Sequence, residues 1–195
     1  SNHRLRHVSM SGDVTTFAGL LDVTGDQDGI GTSASFDQPS GLAISPDGTA
    51  LYVADLQNHL IRRVETSNAS VTSIAGSSTA GDFADGVADS VARFDKPSSL
   101  VISPEGMLFI ADMGNYRVRA VNLTATVLVV TTFAGSGNAS LVDGTGTAAS
   151  FQRPFALALA GEMLYVTDAS NSLLGCSTCT GAIRSINTAT GAVTT

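Results

Sequence analysis

Apolar residues in this chain fall into short runs separated by turn residues, and the runs recur in a fixed order. Gly41-Leu42-Ala43-Ile44-Ser45 alternates in the manner of a strand with one buried face, and Pro46-Asp47-Gly48 places Pro at the first central position of a turn. Leu51-Tyr52-Val53-Ala54-Asp55 is a nearly continuous apolar run, suited to a strand covered on both faces. Leu60 to Val64 alternates apolar residues with Arg, as a half-exposed strand should, and Val71 to Ala75 closes the unit. The pattern predicts four short antiparallel strands.

The unit repeats. Asn2, Asn58, Asn115 and Asn171 are spaced 56, 57 and 56 residues apart. Asn58-His59-Leu60-Ile61-Arg62-Arg63-Val64 has counterparts starting at Asn2 and Asn115, and a fourth copy resumes at Ile183-Arg184-Ser185-Ile186. Val71-Thr72-Ser73-Ile74-Ala75-Gly76 matches Val14 to Gly19 and Val130 to Gly135, and its start recurs at Val193-Thr194-Thr195. Asp28-Gly29, Phe36 and Pro39 reappear as Asp85-Gly86, Phe94 and Pro97, then as Asp143-Gly144, Phe151 and Pro154. One four-stranded unit cannot bury both faces, whereas several arranged radially can. The predicted class is therefore all-β, a β-propeller of four-stranded antiparallel blades.

The order of motifs from Asp28 through Val64 resembles the NHL repeat, and Asn58-His59-Leu60 spells its signature. The third unit departs with Ser98-Ser99-Leu100 and Tyr116, and the fourth with Ala160-Gly161-Glu162 as its turn. The resemblance implies a propeller, commonly six-bladed, used mostly for protein interaction, sometimes for RNA binding and rarely for catalysis. Residues 1–195 read as one propeller segment: a half blade at 1–19, blades at 20–76 and 77–135, and a blade at 136–195 with a Cys-containing insertion at 172–182. Two strands followed by three sets of four leave the ring incomplete, so the chain is expected to be a window on a longer protein or to take its missing strands from another copy.

Charge and composition narrow the chemistry. Ten Lys and Arg against 17 Asp and Glu give a net charge of −7, which repels phosphate backbones, and no apolar run approaches the roughly 20 residues that span a bilayer. Nucleic acid and membrane insertion are excluded as expectations. Aromatic residues make up 6% and Trp is absent, unlike the basic, aromatic faces of RNA-binding relatives.

Asp55, Asp112 and Asp168 each end an apolar strand and could line a metal site. Their repetition favours a structural role, accepting backbone N–H bonds in the turn before Asn58, Asn115 or Asn171. Arg6, Arg62, Arg119 and Arg184 share one strand position and are expected to pair with neighbouring acids or to cover apolar surface with their stems. Asp22, Asp26 and Asp28, and Asp82, Asp85 and Asp89, form acidic turns; Asp26-Gln27-Asp28-Gly29 lacks the glutamate that completes a calcium loop. These turns could hold Ca²⁺ with backbone oxygens, but solvated loop acids are the expected reading, and no other cofactor is expected. His3, His7 and His59 show no zinc-ligand spacing. No catalytic, cofactor-binding or metal residue is assigned.

Cys176-Ser177-Thr178-Cys179 lies in the insertion, and a disulfide pinning a protruding loop is expected, implying an oxidising compartment. Asn68-Ala69-Ser70, Asn122-Leu123-Thr124 and Asn138-Ala139-Ser140 are N-glycosylation sequons, so Asn68, Asn122 and Asn138 are candidate carriers of N-linked glycans. The first two fall between third and fourth strands, at the outer rim. The sequence thus points to a noncatalytic, extracellular or cell-surface scaffold or adhesion module. Its partners would be proteins or further copies of the chain, and it would be a glycosylated building block of a larger assembly. The alternative is part of a lactonase-type or lyase-type propeller enzyme whose active residues lie elsewhere.

Overall fold

The computed structural model describes residues 2–79, 81–169 and 181–195. Strands β1 (Leu5–Val8) and β2 (Val14–Ala18) form a two-stranded hairpin. Three five-stranded sheets follow. The first holds β3 (Gly29–Ile30), β4 (Pro39–Ile44), β5 (Ala50–Asp55), β6 (Leu60–Glu65) and β7 (Ser70–Gly76). The second holds β8 (Gly86–Val87), β9 (Pro97–Ile102), β10 (Met107–Asp112), β11 (Arg117–Asn122) and β12 (Val129–Ala134). The third holds β13 (Gly144–Thr145), β14 (Pro154–Ala160), β15 (Met163–Asp168), β16 (Ala182–Asn187) and β17 (Ala192–Thr194).

Each sheet is an antiparallel meander with one addition to the expected four strands. The segment entering a blade first runs along the outer strand of that blade, so β3 pairs β7, β8 pairs β12 and β13 pairs β17. These two-residue strands are too short to leave a period-2 signature, which is why the pattern shows only four. They occupy the outward edge that a blade would otherwise expose.

The innermost strands β4, β9 and β14 lie side by side, joined by hydrogen bonds from the Ser40 hydroxyl to Ser98 O at 2.8 Å and from the Ser98 hydroxyl to Phe155 O at 2.7 Å. The sheets are the blades of a propeller arc, without a closed ring. Strand β5 is buried along nearly its whole length, as its apolar run predicts. Strand β6 is not half-exposed as its alternation predicts: Leu60, Ile61, Arg62 and Val64 are all buried, so the Arg in the pattern marks an interior charge.

Between successive blades the core is built around Phe36, Phe94 and Phe151, all fully buried. Each phenyl ring seats against the glycine that ends the preceding outer strand or follows it. Gly19, Gly76 and Gly135 have φ of 100°, 101° and 106°, and a Cβ at Gly76 would stand 2.3 Å from His59 O and 3.2 Å from the Phe94 ring. The Ala-Gly ending of the repeat is thereby explained by backbone conformation and close approach together. Gly76→Ala is expected to lower stability by at least about 2 kcal/mol, from the left-handed conformation and the displaced Phe94. Urea unfolding of the variant against wild type measures it.

Candidate functional site

The most distinctive side-chain constellation recurs once per five-stranded sheet. In the second, Arg119 on β11 donates from Nη1 to Asp112 Oδ2 at 2.7 Å and to Arg93 O at 3.0 Å. From Nη2 it donates to Asp85 Oδ1 at 2.6 Å and to Ala84 O at 2.7 Å. Its guanidinium lies 5.2 Å from the centre of the Phe94 ring. Arg62 repeats the arrangement with Asp55, Asp28 and Phe36, and Arg184 with Asp168, Asp143 and Phe151. The three arginines and the three strand-ending aspartates are buried, while the outer acids Asp28, Asp85 and Asp143 are about half exposed.

The aspartates do accept backbone N–H bonds, but not from the turn before the signature Asn. Asp55 receives the N–H of Asp37 at 2.7 Å, Asp112 that of Asp95 at 2.8 Å, and Asp168 those of Gln152 and Arg153. Those donors belong to the segment entering the innermost strand, brought near because that strand pairs with β5, β10 or β15. Asn58 and Asn115 add side-chain N–H bonds to Asp55 and Asp112, and reach onward to Gly25 O and Asp82 O. Burial pushes Asp112 up to about 6 against the pull of Arg119, and raises Asp55 and Asp168 for the same reason.

Such an aspartate has no free lone pair facing solvent, and its guanidinium partner is tied to carbonyls as well. The constellation is a cross-link that holds third strand, second strand, entry segment and outer acid of one blade together. Arg6 supplies the control. It occupies the same repeat position, yet β1–β2 bring no aspartate to it, and it is exposed, bonding only to the carbonyls of Val14 and Thr15. Of the two roles expected of these arginines, pairing with neighbouring acids is the one seen at Arg62, Arg119 and Arg184.

The signature histidines act between blades. His59 Nδ1 accepts the N–H of Lys96 at 3.1 Å and lies 3.3 Å from Asp95, in the segment entering the next blade; His3 does the same toward Gln38 and Asp37. Tyr116 stands in place of the histidine in the next copy, and the adjacent Arg117 donates to Ser136 O at 2.9 Å with its guanidinium 3.8 Å from the centre of the Phe83 ring. The role of His59 was not visible in the sequence, because its partners lie 37 residues away in an irregular segment.

The remaining candidates separate in space. Among the described residues, no three His, Cys, Asp or Glu side chains come together to hold a metal ion. Asp28 and Asp85 are engaged by arginine, and Asp26 accepts the Ser78 hydroxyl at 2.5 Å. Asn68 lies in the turn between β6 and β7, Asn122 ends β11, and Asn138 lies beyond β12; all three are exposed. The Thr124 hydroxyl donates to Asn122 Oδ1 at 2.8 Å. Cys176 and Cys179, with the expected disulfide, fall outside the described residues. A cleft of about 690 Å³ opens between the second and third sheets, and a smaller one of about 320 Å³ between the first and second.

Four-stranded meanders with an added edge strand, fanned about their innermost strands and each locked by one buried Arg–Asp pair, define a β-propeller repeat. The Teneurin NHL domain family matches residues 67–122. The bovine (Bos taurus) NHL repeat-containing protein 2 is 35% identical over 122 residues, covering 62% of this chain and 16% of the relative. Mouse (Mus musculus) Teneurin-1 is 29% identical over 101 residues, covering 46% of this chain and 4% of the relative. A structural genomics protein of unknown function from Bacteroides thetaiotaomicron superposes with a TM-score of 0.70 over 85% of this chain and 40% of its own, at 21% identity. The chain is similar to NHL-repeat β-propellers in sequence and fold, and it spans only a small part of the curated relatives it matches.

Two outcomes test the assignment of these residues to structure. Arg119→Ala leaves Asp112 buried and unpaired and is expected to cost about 3–5 kcal/mol, whereas Arg6→Ala should stay within about 0.5 kcal/mol; urea unfolding compares them. His59 accepts a backbone N–H through Nδ1, which only the neutral ring can do, and burial holds its pKa below the ordinary value. The unfolded chain therefore takes up that proton first, and stability is lost as the pH falls through the histidine range. His59→Asn keeps an acceptor and tolerates the left-handed backbone, so it should lose less stability than wild type between about pH 7.5 and 5.5. Equal losses in parallel unfolding curves would remove His59 from the account.

Proposed function

We propose that this propeller arc is a noncatalytic interaction scaffold that works outside the cell as part of a larger assembly. The observation that carries the reading is the fate of its charged repeat residues. Every buried aspartate that could be read as catalytic is consumed in an Arg–Asp cross-link, which leaves surface features to distinguish one blade from another. Teneurins, among the relatives, are extracellular proteins, and three exposed sequons accord with that compartment.

A protein partner of defined shape is supported by the open face of the third sheet. Tyr165 and Ile183 are 42% and 69% exposed, while their repeat equivalents Tyr52 and Ile61 are 7% and 0% exposed, and Phe109 and Val118 are 3% and 0%. In the earlier blades these positions are covered by the next blade. The surface that fits Tyr165 and Ile183 is accordingly another sheet of the same repeat.

Two measurements test this reading. Enzymatic deglycosylation of native material should convert Asn68, Asn122 and Asn138 to Asp, detected by mass spectrometry, and three unmodified asparagines would overturn the extracellular assignment. The 195-residue chain by itself should self-associate in sedimentation experiments, and Ile183→Glu should weaken that association at least about tenfold. A strictly monomeric chain would rule out completion by a second copy.

A further inference from the structure

The clefts on either side of the second sheet share repeat-equivalent lining positions, and the residues at those positions differ. The smaller cleft, between the first and second sheets, contains Tyr52 and Arg63, with Asp47 and Glu105 on its rim. Arg63 stands opposite Tyr52 on the neighbouring strand and is ion-paired with Glu65. The larger cleft, between the second and third sheets, has Phe109 where Tyr52 stands, and Glu105 and Glu162 on its rim. Opposite Phe109 the residue is Ala120, the repeat counterpart of Arg63. The cleft that lacks the arginine is the larger, at about 690 Å³ against about 320 Å³.

What remains is a site shaped for the missing group. Its floor is apolar: Phe109 and Phe133 pack at 5.0 Å between ring centres with planes tilted by 59°, beside Met107 and Leu159. Its rim carries two exposed carboxylates. Glu105 is held below the usual glutamate range by the Ser103 hydroxyl, and the Glu162 turn is pinned by Thr188, which donates to Glu162 O from its N–H at 2.8 Å and from its hydroxyl at 3.0 Å. An aliphatic stem on the aromatic floor and a cation between the carboxylates satisfy both halves. The net charge of −7 favours a basic partner approaching from any direction.

We propose that the cleft between the second and third blades binds an arginine side chain presented by a partner protein, in the place that Arg63 fills from within the chain one blade earlier. This deepens the interaction reading by naming the partner's chemistry. Its failure is distinguishable, because sequon occupancy and self-association are read by other measurements.

The test uses the full-length protein and saturation-transfer NMR observed on the probe acetyl-Ala-Arg-Ala-amide, with the citrulline counterpart as a neutral isostere. The arginine probe is expected to receive saturation and to bind at least about tenfold more tightly than the citrulline probe. Ala120→Arg, which restores the repeat's own arginine, should abolish the signal. Should that variant fold poorly by circular dichroism, Glu105→Gln combined with Glu162→Gln changes only exposed residues and should weaken binding about tenfold. Equal binding of the two probes, or undiminished binding by a folded Ala120→Arg protein or by the double Gln variant, would overturn the proposal.

Discussion

A guanidinium buried beside a carboxylate inside a β-sheet is the constraint on which each blade depends. Taking both charges out of water costs several kcal/mol per ion, and the cost is recovered only when every donor and acceptor is met with good geometry. Arg62 and Arg119 come close to this requirement by spending their terminal nitrogens on two acids and two carbonyls each, leaving only Nε without a partner. Those four partners come from separate parts of the unit: the end of the second strand, the segment leading to the innermost strand, and the entry past the outer edge. The pair therefore specifies how the whole blade closes, beyond whatever stability it adds, and a phenyl ring lies about 5 Å beneath each guanidinium.

The same arrangement explains why the repeat tolerates change at some positions and not others. His59 gives way to Tyr116 in the next copy, where the following residue Arg117 bonds Ser136 O just beyond the outer strand. Arg63 can become Ala120 because it faces a cleft between blades rather than the interior of one. Arg62, its neighbour, recurs as Arg119 and Arg184 because nothing else reaches Asp28 and Asp55 together. Opposite Ala120, Phe109 contributes to a cleft whose floor is apolar and whose rim carries two carboxylates.

Much of the architecture could be read along the chain. The 56-residue and 57-residue spacings, the turn residues and the apolar run of β5 led to four-stranded blades in a propeller, since such a unit cannot bury both faces alone. The candidate sites were less legible. Alternation made β6 look half-exposed, because a period-2 pattern records side-chain polarity and cannot tell solvent from an internal carboxylate. The N–H donors to Asp55 and Asp112 were misplaced, because strand pairing brings in residues 18 and 17 positions earlier in place of the adjacent turn. The short strands β3, β8 and β13 left no signal at all.

By itself the sequence determined the repeat, the number of blades it supplies, the acidic balance and the positions of Asn68, Asn122 and Asn138. These are properties of order and composition, fixed before the chain folds. Tertiary structure decided which charges are spent and which face outward. Arg62 and Arg63 are adjacent in one strand, yet Arg62 is wholly buried and Arg63 faces a cleft, because Asp55 lies alongside Arg62. Whether a repeated charge is scaffold or surface is set by what packs against it, a property of neighbours in space that no single position along the chain contains.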